Sequence, residues 1–325
     1  MSLVSAAEEV WPLKHVFRIS RGERTESQVV VATINDANNV GRGEAVPIRR
    51  YNQTTDSVIA QIDSIKAEKN LDRQSLQRLL PAGAARNALD CALWDLEAKR
   101  SGKRVWELAN VPVKSEVETS FTISLDAPEK MSATAKANST APILKLKLGG
   151  DDVDLARVEA VRAAAPNSRL IIDANESWSP DHYRKIVPDL KQLGVELIEQ
   201  PFPASEDRIL ETLEHPIPIC ADESCHTSAD LARLKSRYEM INIKLDKTGG
   251  LTEALRLFES ARERGFKILI GCMVGTSLSM APARVLASAA DYVDLDGPLL
   301  LARDRAHGLS YHNGKIDIPS RELWG

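Results

Sequence analysis

Short apolar segments recur at a nearly constant spacing along most of this chain. From residue 119 onward, eight segments rich in isoleucine, leucine and valine have centres roughly 22 to 27 residues apart. Amphipathic stretches separate most of them, and one begins with Ser179 and Pro180, which suit the N-cap and first position of a helix. Eight strands joined by crossovers predict a (β/α)8 barrel, with a doubly wound open sheet as the alternative. The strand candidates are 119–124, 143–148, 170–173, 196–199, 217–222, 240–245, 267–272 and 291–296.

The first 115 residues follow a different pattern, which indicates antiparallel strands followed by helices. This α+β segment is too long to be a linker. No low-complexity stretch separates it from the predicted barrel, so the two parts are expected to pack together. The strands are predicted at 27–36 and 41–47 with a turn at Asn38-Asn39, and the helical regions at 54–80 and 81–101.

The composition argues against several functional classes. The chain has 42 basic and 46 acidic residues, a formal charge of −4, which gives no indication of a nucleic-acid or membrane surface. It has neither the run of roughly 18 apolar residues that a membrane-spanning helix needs nor the pattern of a secretory leader. The four cysteines lack CxxC spacing, so we expect free thiols in a reducing cytoplasm; they are Cys91, Cys220, Cys225 and Cys272.

Ionisable side chains stand at the predicted ends of five consecutive strands. Their spacings of 26, 26, 23 and 22 residues each match one strand–crossover unit, so the side chains should converge on the barrel axis. Three of them are carboxylates, which would repel one another without a cation between them. Oxygen ligands in a site that leaves room for substrate favour Mg²⁺. The five residues are Lys147, Asp173, Glu199, Asp222 and Lys244.

Lysine alternates with leucine in the second strand, ILKLKLG at residues 143–149. The period of two puts the leucines against the outer helices and turns Lys145 and Lys147 into the barrel. The sixth strand, 240–245, alternates in the same way, so Lys244 should face Lys147 across the barrel mouth. A desolvated ammonium near a divalent cation should have a lowered pKa and act as a general base. Two such lysines suit removal of a proton beside a carboxylate, through an enediolate neutralised by the metal, and its return on the opposite face.

With these residues the sequence resembles the enolase superfamily, in the muconate-lactonizing-enzyme-like subgroup that has Lys-x-Lys on the second strand. The likeness is greatest to bacterial L-Ala-D/L-Glu epimerases, a group of dipeptide epimerases, and covers essentially the whole chain. It implies an α/β fold, a modified (β/α)8 TIM-type barrel at 116–302 with an N-terminal α+β capping domain at 1–115, completed by the tail at about 303–325. The segments that carry it are WPLKHVFRISRG, GRGEAVP, PAGAARNALDCALWDL, LKLKLG, IIDANESW, LIEQP, ICADESCHTS, YEMINIKLDKTGGLTEAL, IGCMVGTS and DLDGP.

The resemblance also implies roles for the clustered residues. The three carboxylates match the Mg²⁺ ligands of the family, and Lys147 and Lys244 match its acid/base pair. Lys145 matches the lysine that assists by electrostatics. Lys247 lies past the predicted strand end and is the second choice, after Lys244, for the base.

Six further residues are candidates for binding substrate. In the dipeptide epimerases an Asp-x-Asp pair at the eighth strand receives the free α-ammonium group, and an arginine of a capping loop binds the glutamate side chain. Two arginines suit that second role, and the sequence does not separate them. Two hydroxyl groups after the seventh strand are candidates for positioning substrate. The six are Asp294 and Asp296, predicted on one face of the eighth strand, Arg21 and Arg24, and Thr276 and Ser277.

Missing motifs argue against other chemistries. None of the six histidines lies at the end of the seventh strand, where the mandelate-racemase subgroup has its base. No His-x-His occurs on the first strand and no GxGxxG follows a strand. The remaining alternatives are an epimerase of another dipeptide, an o-succinylbenzoate synthase, a muconate cycloisomerase and a non-catalytic metal-binding barrel. Asp294 and Asp296 discriminate among them, since substrates without an ammonium group have no use for this pair.

The expected function is a cytoplasmic, Mg²⁺-dependent epimerase of L-Ala-D/L-Glu dipeptides. It would invert the glutamate α-carbon by two-base 1,1-proton transfer and would serve the recycling of murein peptides. The expected partner is the small-molecule dipeptide, with no nucleic acid and no membrane, while a homo-oligomer stays open.

Overall fold

The N-terminal part of the chain is an antiparallel sheet with helices packed against it. A computed structural model describes residues 3–68 and 70–325. The turn between the second and third strands lies at Ala37 and Asn38, one residue earlier than predicted, and Ala37 has a positive φ of 21°. The three strands, paired in chain order, are β1 (Leu3–Ile19), β2 (Gly22–Asp36) and β3 (Asn39–Ala45).

Four helices complete this part, and we call its described residues between 3 and 108 the cap. The predicted helical region 54–80 is two helices, because the chain turns before Asp72, which caps the second one together with Ser75. The longest helix lies directly on β3: a Cβ at Gly41 would come within 2.2 Å of the Ala92 carbonyl oxygen. The helices are α1 (Thr55–Ile65), α2 (Arg73–Leu79), α3 (Ala84–Ser101) and α4 (Val105–Leu108).

The second part of the chain is a barrel of eight parallel strands. Their order around the sheet follows the chain without a reversal, which confirms the predicted barrel and rules out the doubly wound alternative. A short strand, β4 (Glu116–Glu118), precedes them. The barrel strands are β5 (Ser120–Ile123), β6 (Ile143–Lys147), β7 (Arg169–Asp173), β8 (Val195–Glu199), β9 (Ile219–Ala221), β10 (Met240–Ile243), β11 (Lys267–Ile270) and β12 (Tyr292–Val293).

The crossovers are mostly helical. Ser179 caps its helix as predicted, accepting a hydrogen bond from the backbone N–H of His182. The crossover after β8 contains only a 3-10 helix, Asp207–Thr212. The helices are α5 (Pro128–Ala137), α6 (Asp154–Ala164), α7 (Pro180–Gln192), α8 (Leu231–Leu234), α9 (Leu245–Thr248), α10 (Leu251–Glu263), α11 (Ser277–Ala287) and α12 (Gly297–Leu300).

The two faces of β6 meet different surroundings, as its alternation indicates. Leu144 and Leu146 belong to the large apolar core between the strands and the outer helices. Ile143 points inward, into a small apolar layer that fills the base of the barrel. Lys145 and Lys147 continue that inward face above it and are almost fully buried. The second face of this strand therefore does not meet water.

Side chains bridge the two edge strands of the eight-stranded sheet. Ser120 on β5 donates to the Asp294 carboxylate at 2.5 Å, and the N–H of Thr122 donates to Asp296 at 2.6 Å. Both acids follow β12, so the segment after the last barrel strand is fastened to the first strand.

The C-terminal tail returns to the cap. It forms a hairpin that pairs with β4, and then runs beside α3. Trp324 is fully buried and donates to the Cys91 carbonyl at 3.1 Å, while Arg104 donates to the Gly325 carbonyl at 2.6 Å. The domain boundaries at 115 and 302 stay a prediction. The hairpin strands are β13 (Tyr311–His312) and β14 (Lys315–Asp317).

Two expectations concern cysteines and membranes. All four cysteines are free thiols, of which Cys272 alone is partly exposed. Within residues 3–68 and 70–325, no helix has the length and apolar character needed to cross a bilayer.

Candidate active site

The strand ends bring the five predicted ionisable residues together. Lys147 is paired with Asp173 in the ladder between β6 and β7, and Asp173 is paired with Glu199 in the next ladder. Asp222 directly follows β9, and Lys244 directly follows β10. All five are at most 7% exposed. The regular spacing in the sequence thus becomes one level at the carboxyl end of the barrel.

Asp173, Glu199 and Asp222, here called the carboxylate triad, have carboxylate oxygens within 4.8 Å of one another. Asn242 on β10 orients Glu199 by donating to its Oε1 at 2.8 Å. Glu199 Oε2 lies 2.6 Å from Nζ of Lys145. Burial and the nearby Asp173 carboxylate raise the pKa of Glu199. Three buried carboxylates that converge on one point fit a hard divalent cation such as Mg²⁺.

Lysines compensate the charge of the other two triad members. Nζ of Lys147 lies 2.5 Å from Asp173 Oδ2, and Nζ of Lys244 lies 2.6 Å from Asp222 Oδ2. Burial alone would raise the pKa of Asp173, but Lys147 and Lys145 outweigh it and lower this pKa to about 2. The pKa of Asp222 is likewise held well below its usual value, because Lys244 and a second lysine outweigh the effect of burial.

The carboxylates of the site determine the pKa values of Lys145 and Lys244. Burial acts to lower both pKa values. Asp294 and Glu199 outweigh it at Lys145, and Asp222 and Glu199 outweigh it at Lys244, so both pKa values are raised. The lowering predicted for an ammonium group beside a divalent cation depends on that cation and stays a prediction.

Lys147 and Lys244 stand on opposite walls of the barrel. Lys147 is the last residue of β6, and Lys244 directly follows β10. These two strands are four positions apart in the eight-stranded sheet. Both side chains line the cavity between the barrel and the cap. A group bound over the triad would therefore have one lysine on each side.

Lys247, the second choice for the base, is held by the protein instead. It is 1% exposed, and its Nζ lies 2.6 Å from both Oδ1 and the backbone oxygen of Asp222 and 2.9 Å from the Asn242 carbonyl. Three acceptors use all three protons of the ammonium group. Lys247 therefore supports Asp222 and has no proton position left for a substrate.

Asp294 and Asp296 lie beyond β12, which ends at Val293, and not on a strand face as predicted. Asp294 is 2.8 Å from Nζ of Lys145. Burial and the Asp294 carboxylate raise the pKa of Asp296 to about 7. Both carboxylates have protein partners, and their role in binding a substrate ammonium group stays a prediction.

The structure separates the two candidate arginines. Arg21 is committed to the barrel: it lies 2.6 Å from Glu223, 2.6 Å from the Asn175 carbonyl and 3.1 Å from Glu176. Arg24 has no hydrogen bond or ion pair with any residue that the structure describes, yet it lines the cavity. Burial and the neighbouring Arg21 lower the pKa of Arg24. Arg24 is thus the guanidinium available for an anion.

The hydroxyl groups of Thr276 and Ser277 have hydrogen-bond partners within the protein. The Thr276 hydroxyl donates to Glu44 of the cap and accepts from Arg305 of the tail. The Ser277 hydroxyl donates to Asp304. Both residues are fully buried. Their hydroxyl groups fasten the start of α11 to the cap and tail, and the predicted positioning role stays a prediction.

Two segments of the cap reach over the triad. We call residues 19–24 the first cap loop and residues 48–53 the second cap loop. Tyr51 packs edge-on against His226, with 4.7 Å between ring centroids. Its hydroxyl group has no hydrogen-bond partner among the described side chains and backbone groups. The cavity is lined by Phe17, Ile19, Arg21, Arg24, Ile48, Arg50, Tyr51, Lys147, Asn175, Asp222, Glu223, Lys244, Cys272, Met273 and Val274.

Sequence reasoning missed several of these residues. Asn242 could have been predicted from the sequence, because the period of two places it on the same inward face as Lys244. Glu223 follows a ligand candidate directly, but its contact with Arg21 joins residues that are 202 positions apart. Tyr51 and Arg50 gave no signal, since only the packing of cap on barrel brings them to the site.

Two family models match the chain. The model described as mandelate racemase / muconate lactonizing enzyme, N-terminal domain, matches residues 1–109. The model described as enolase C-terminal domain-like matches residues 130–322. Together they span both the cap and the barrel.

Individual relatives agree with this assignment. The L-Ala-D/L-Glu epimerase of Escherichia coli (strain K12) is 45% identical over 98% of this chain and 100% of its own length. The N-acetyl-D-glutamate racemase of Pseudoalteromonas sp is 46% identical over 91% and 95%. An enolase family member from Agrobacterium tumefaciens with homology to dipeptide epimerases, solved with sodium and L-Ala-L-Glu, is 48% identical, with TM-score 0.98 and full coverage of both chains. The chain therefore belongs to the mandelate racemase / muconate lactonizing enzyme family of the enolase superfamily.

Proposed function

We propose that this protein is a Mg²⁺-dependent L-Ala-D/L-Glu epimerase that inverts the α-carbon of the glutamate residue. The observation that carries the proposal is the placement of Lys147 and Lys244 on opposite walls, with the carboxylate triad between them. The named activity of the E. coli relative, 45% identical over its full length, supports the same reaction.

Lys147 and Lys244 move the proton. Nζ of one lysine, as the neutral amine, takes the α-proton from one face, and the ammonium group of the other delivers a proton to the opposite face, which inverts the centre. Lys145, between Glu199 and Asp294, keeps a positive charge beside the reacting carboxylate. Lys147 and Lys244 each form an ion pair with a triad carboxylate. These ion pairs must open before either Nζ can reach the substrate.

The triad would hold Mg²⁺, which supplies positive charge for the substrate carboxylate that becomes electron-rich as its α-proton leaves. A positioned base contributes about 10²- to 10⁴-fold, so much of the acceleration must come from such electrostatic stabilisation. Arg24 binds the side-chain carboxylate of glutamate, for which its planar fork is suited. Asp294 and Asp296 receive the free ammonium group of the L-alanine residue.

A second candidate is racemisation of an N-acylated glutamate. The relative from Pseudoalteromonas, named N-acetyl-D-glutamate racemase, is as similar to this chain as the epimerase from E. coli. Both substrates carry the glutamate carboxylates and the labile α-proton. They differ in the group attached to nitrogen, because only the dipeptide presents an ammonium group to the two aspartates.

The test is proton NMR of L-Ala-L-Glu with the protein and Mg²⁺ in D₂O, beside an identical sample of N-acetyl-D-glutamate. Loss of the glutamate α-proton signal with growth of L-Ala-D-Glu resonances supports the epimerase. Faster exchange of N-acetyl-D-glutamate would favour the second candidate. Exchange of neither compound would contradict both candidate functions. If Asp296→Asn left the affinity for the dipeptide unchanged, Asp296 would not bind the ammonium group of the substrate.

We further place the activity in the cytoplasm, in the recycling of murein peptides. The support is the pairing of L-alanine with glutamate of either configuration in the named activity of the E. coli relative. A strain lacking this protein should accumulate L-Ala-D-Glu in its cytoplasmic extract, and an unchanged dipeptide pool would contradict this placement.

A further inference from the structure

Glu176 is contacted by arginines from two separate segments of the cap. It lies three residues after Asp173, and its side chain is 6% exposed. Arg50 of the second cap loop donates to both of its carboxylate oxygens, at 2.9 and 2.8 Å. Arg21 of the first cap loop lies 3.1 Å from Oε2. The N–H of Ala204 in the next barrel loop adds a fourth contact, at 2.9 Å.

The backbone at this position is unusual for a residue with a side chain. Glu176 has a φ of 67° and Asn175 one of 45°, in the left-handed region that residues other than glycine rarely adopt. The N–H of Glu176 donates to the Gln200 carbonyl at 2.9 Å, which holds the turn. In this conformation the carboxylate of Glu176 contacts the two arginines of the cap.

Both cap loops carry residues of the cavity wall. The first contains Ile19 and ends at Arg24, whose guanidinium group has no partner among the described residues. The second contains Ile48 and Tyr51. The backbone of the second loop hydrogen-bonds within the loop, as from the N–H of Tyr51 to the Ile48 carbonyl at 2.9 Å, and the Arg50 side chain ties the loop to Glu176. Its place over the site therefore depends on few links to the barrel.

We propose that Glu176 is a positioning residue that fastens both cap loops to the barrel at once and so sets where Arg24 and Tyr51 meet the substrate. The inference rests on the proposed function for its effect on catalysis. Glu176 is far better buried than its partners, since Arg21 is 33% and Arg50 44% exposed. A buried carboxylate with two half-exposed guanidinium groups is a contact that salt weakens.

The test replaces Glu176 by glutamine, which keeps the shape and an acceptor for Ala204 but removes the charge. With L-Ala-L-Glu, Glu176→Gln should raise KM about tenfold, the order of a lost charged hydrogen bond, and change kcat less than about twofold. The KM of the unaltered protein should rise with ionic strength, and that of the variant should rise less. Glu176→Asp keeps the charge and should restore part of the KM. An unchanged KM would overturn the proposal.

Amide hydrogen exchange tests the same anchor without reference to activity. Glu176→Gln should speed exchange in peptides covering residues 17–25 and 46–54. The effect should be larger in 46–54, because Arg21 in the other peptide retains its ion pair with Glu223. Arg18→Gln is the matched control, since it breaks an exposed pair with Glu23, at 2.7 Å, on the same hairpin. It should leave exchange in residues 46–54 unchanged.

The two measurements separate the two proposals. Unaltered protein that exchanges no glutamate α-proton would contradict the proposed function, while faster amide exchange in both loops would still support the anchor. Faster amide exchange in only one loop, or in neither, would overturn the shared anchor even in an active epimerase.

Discussion

The floor of the site and its roof are built in different ways. The floor consists of side chains at the ends of neighbouring strands, buried and joined by ion pairs of 2.5 to 2.8 Å. The roof consists of two cap loops whose arginines are a third or more exposed. The floor is thus fixed by the hydrogen bonds of a sheet, and the roof by a few polar contacts. We expect changes in the floor to reduce turnover, and changes in the roof to weaken substrate binding.

The largest effect should come from the two opposed lysines. Lys147→Ala and Lys244→Ala should each reduce epimerisation of L-Ala-L-Glu by about 10³-fold or more, because each removes the only base on its face. Product formation followed by proton NMR measures the loss. Lys185→Ala, at an exposed lysine paired with Asp152, is the control and should keep full activity. Near-normal turnover of either catalytic variant would refute the two-base assignment.

Loss of a triad carboxylate should abolish the response to Mg²⁺. An ion that binds only the folded state stabilises it by an amount that grows with the logarithm of the ion concentration relative to its Kd, so Mg²⁺ should raise the Tm of the unaltered protein. Glu199→Gln should remove most of this rise and nearly all turnover, and a chelator should inactivate the unaltered protein reversibly. If the variant showed the same Mg²⁺-dependent Tm, Glu199 would not be a ligand.

A change in the roof should affect affinity in a substrate-dependent way. Arg24→Ala should raise the KM for L-Ala-L-Glu by roughly 10- to 100-fold, through loss of a charge-assisted pair, with a smaller change in kcat. A dipeptide with an uncharged second residue should be little affected. Steady-state kinetics on both substrates decides this, and equal losses on both would show that Arg24 acts on the fold instead.

The smallest effect concerns the junction between floor and roof, where buried Asp246 accepts from the N–H of Val46 and the side chain of Asn87. Burial raises its pKa to about 7. The folded carboxyl keeps its proton between roughly pH 4 and 7 while the unfolded chain loses it, so its contribution to the free energy of unfolding falls as pH rises through that range.

Asp246→Asn should remove this fall. The difference in free energy of unfolding between unaltered protein and variant should change by about 2 kcal/mol between pH 5 and 8, with the unaltered protein relatively more stable at pH 5. Denaturant titrations at the two pH values measure it. Parallel pH dependence of the two proteins would contradict the raised pKa.

The floor was largely predictable from sequence because its signals are local and periodic. One strand–crossover unit separates each ionisable residue from the next, and a period of two shows which way Lys145 and Lys147 point. The strand limits were less certain: Asp294 was expected on a strand that in fact ends at Val293. The error matters little for the position of Asp294, since its N–H donates to the carbonyl of Ile270, the last residue of β11, at 2.8 Å.

The roof was not predictable because its contacts join distant parts of the chain. Arg21 and Arg24 lie on one hairpin. They differ because Glu176 and Glu223 of the barrel form ion pairs with Arg21 and not with Arg24. Thr276 has a suitable residue type near the site, yet Glu44, from 232 positions away, takes its hydroxyl group. Residue type and spacing do not reveal such competition.

The buried Trp324 has a consequence for how the protein is made. The cap leaves the ribosome first, but its surface around Cys91 and Arg104 is covered only when the tail arrives, roughly 200 residues later. At typical rates of synthesis this interval lasts on the order of 10 to 40 s. During that time α3 exposes the apolar surface that the tryptophan later covers. The first domain to be translated is thus among the last to be finished, and chaperones have a defined period in which to protect it.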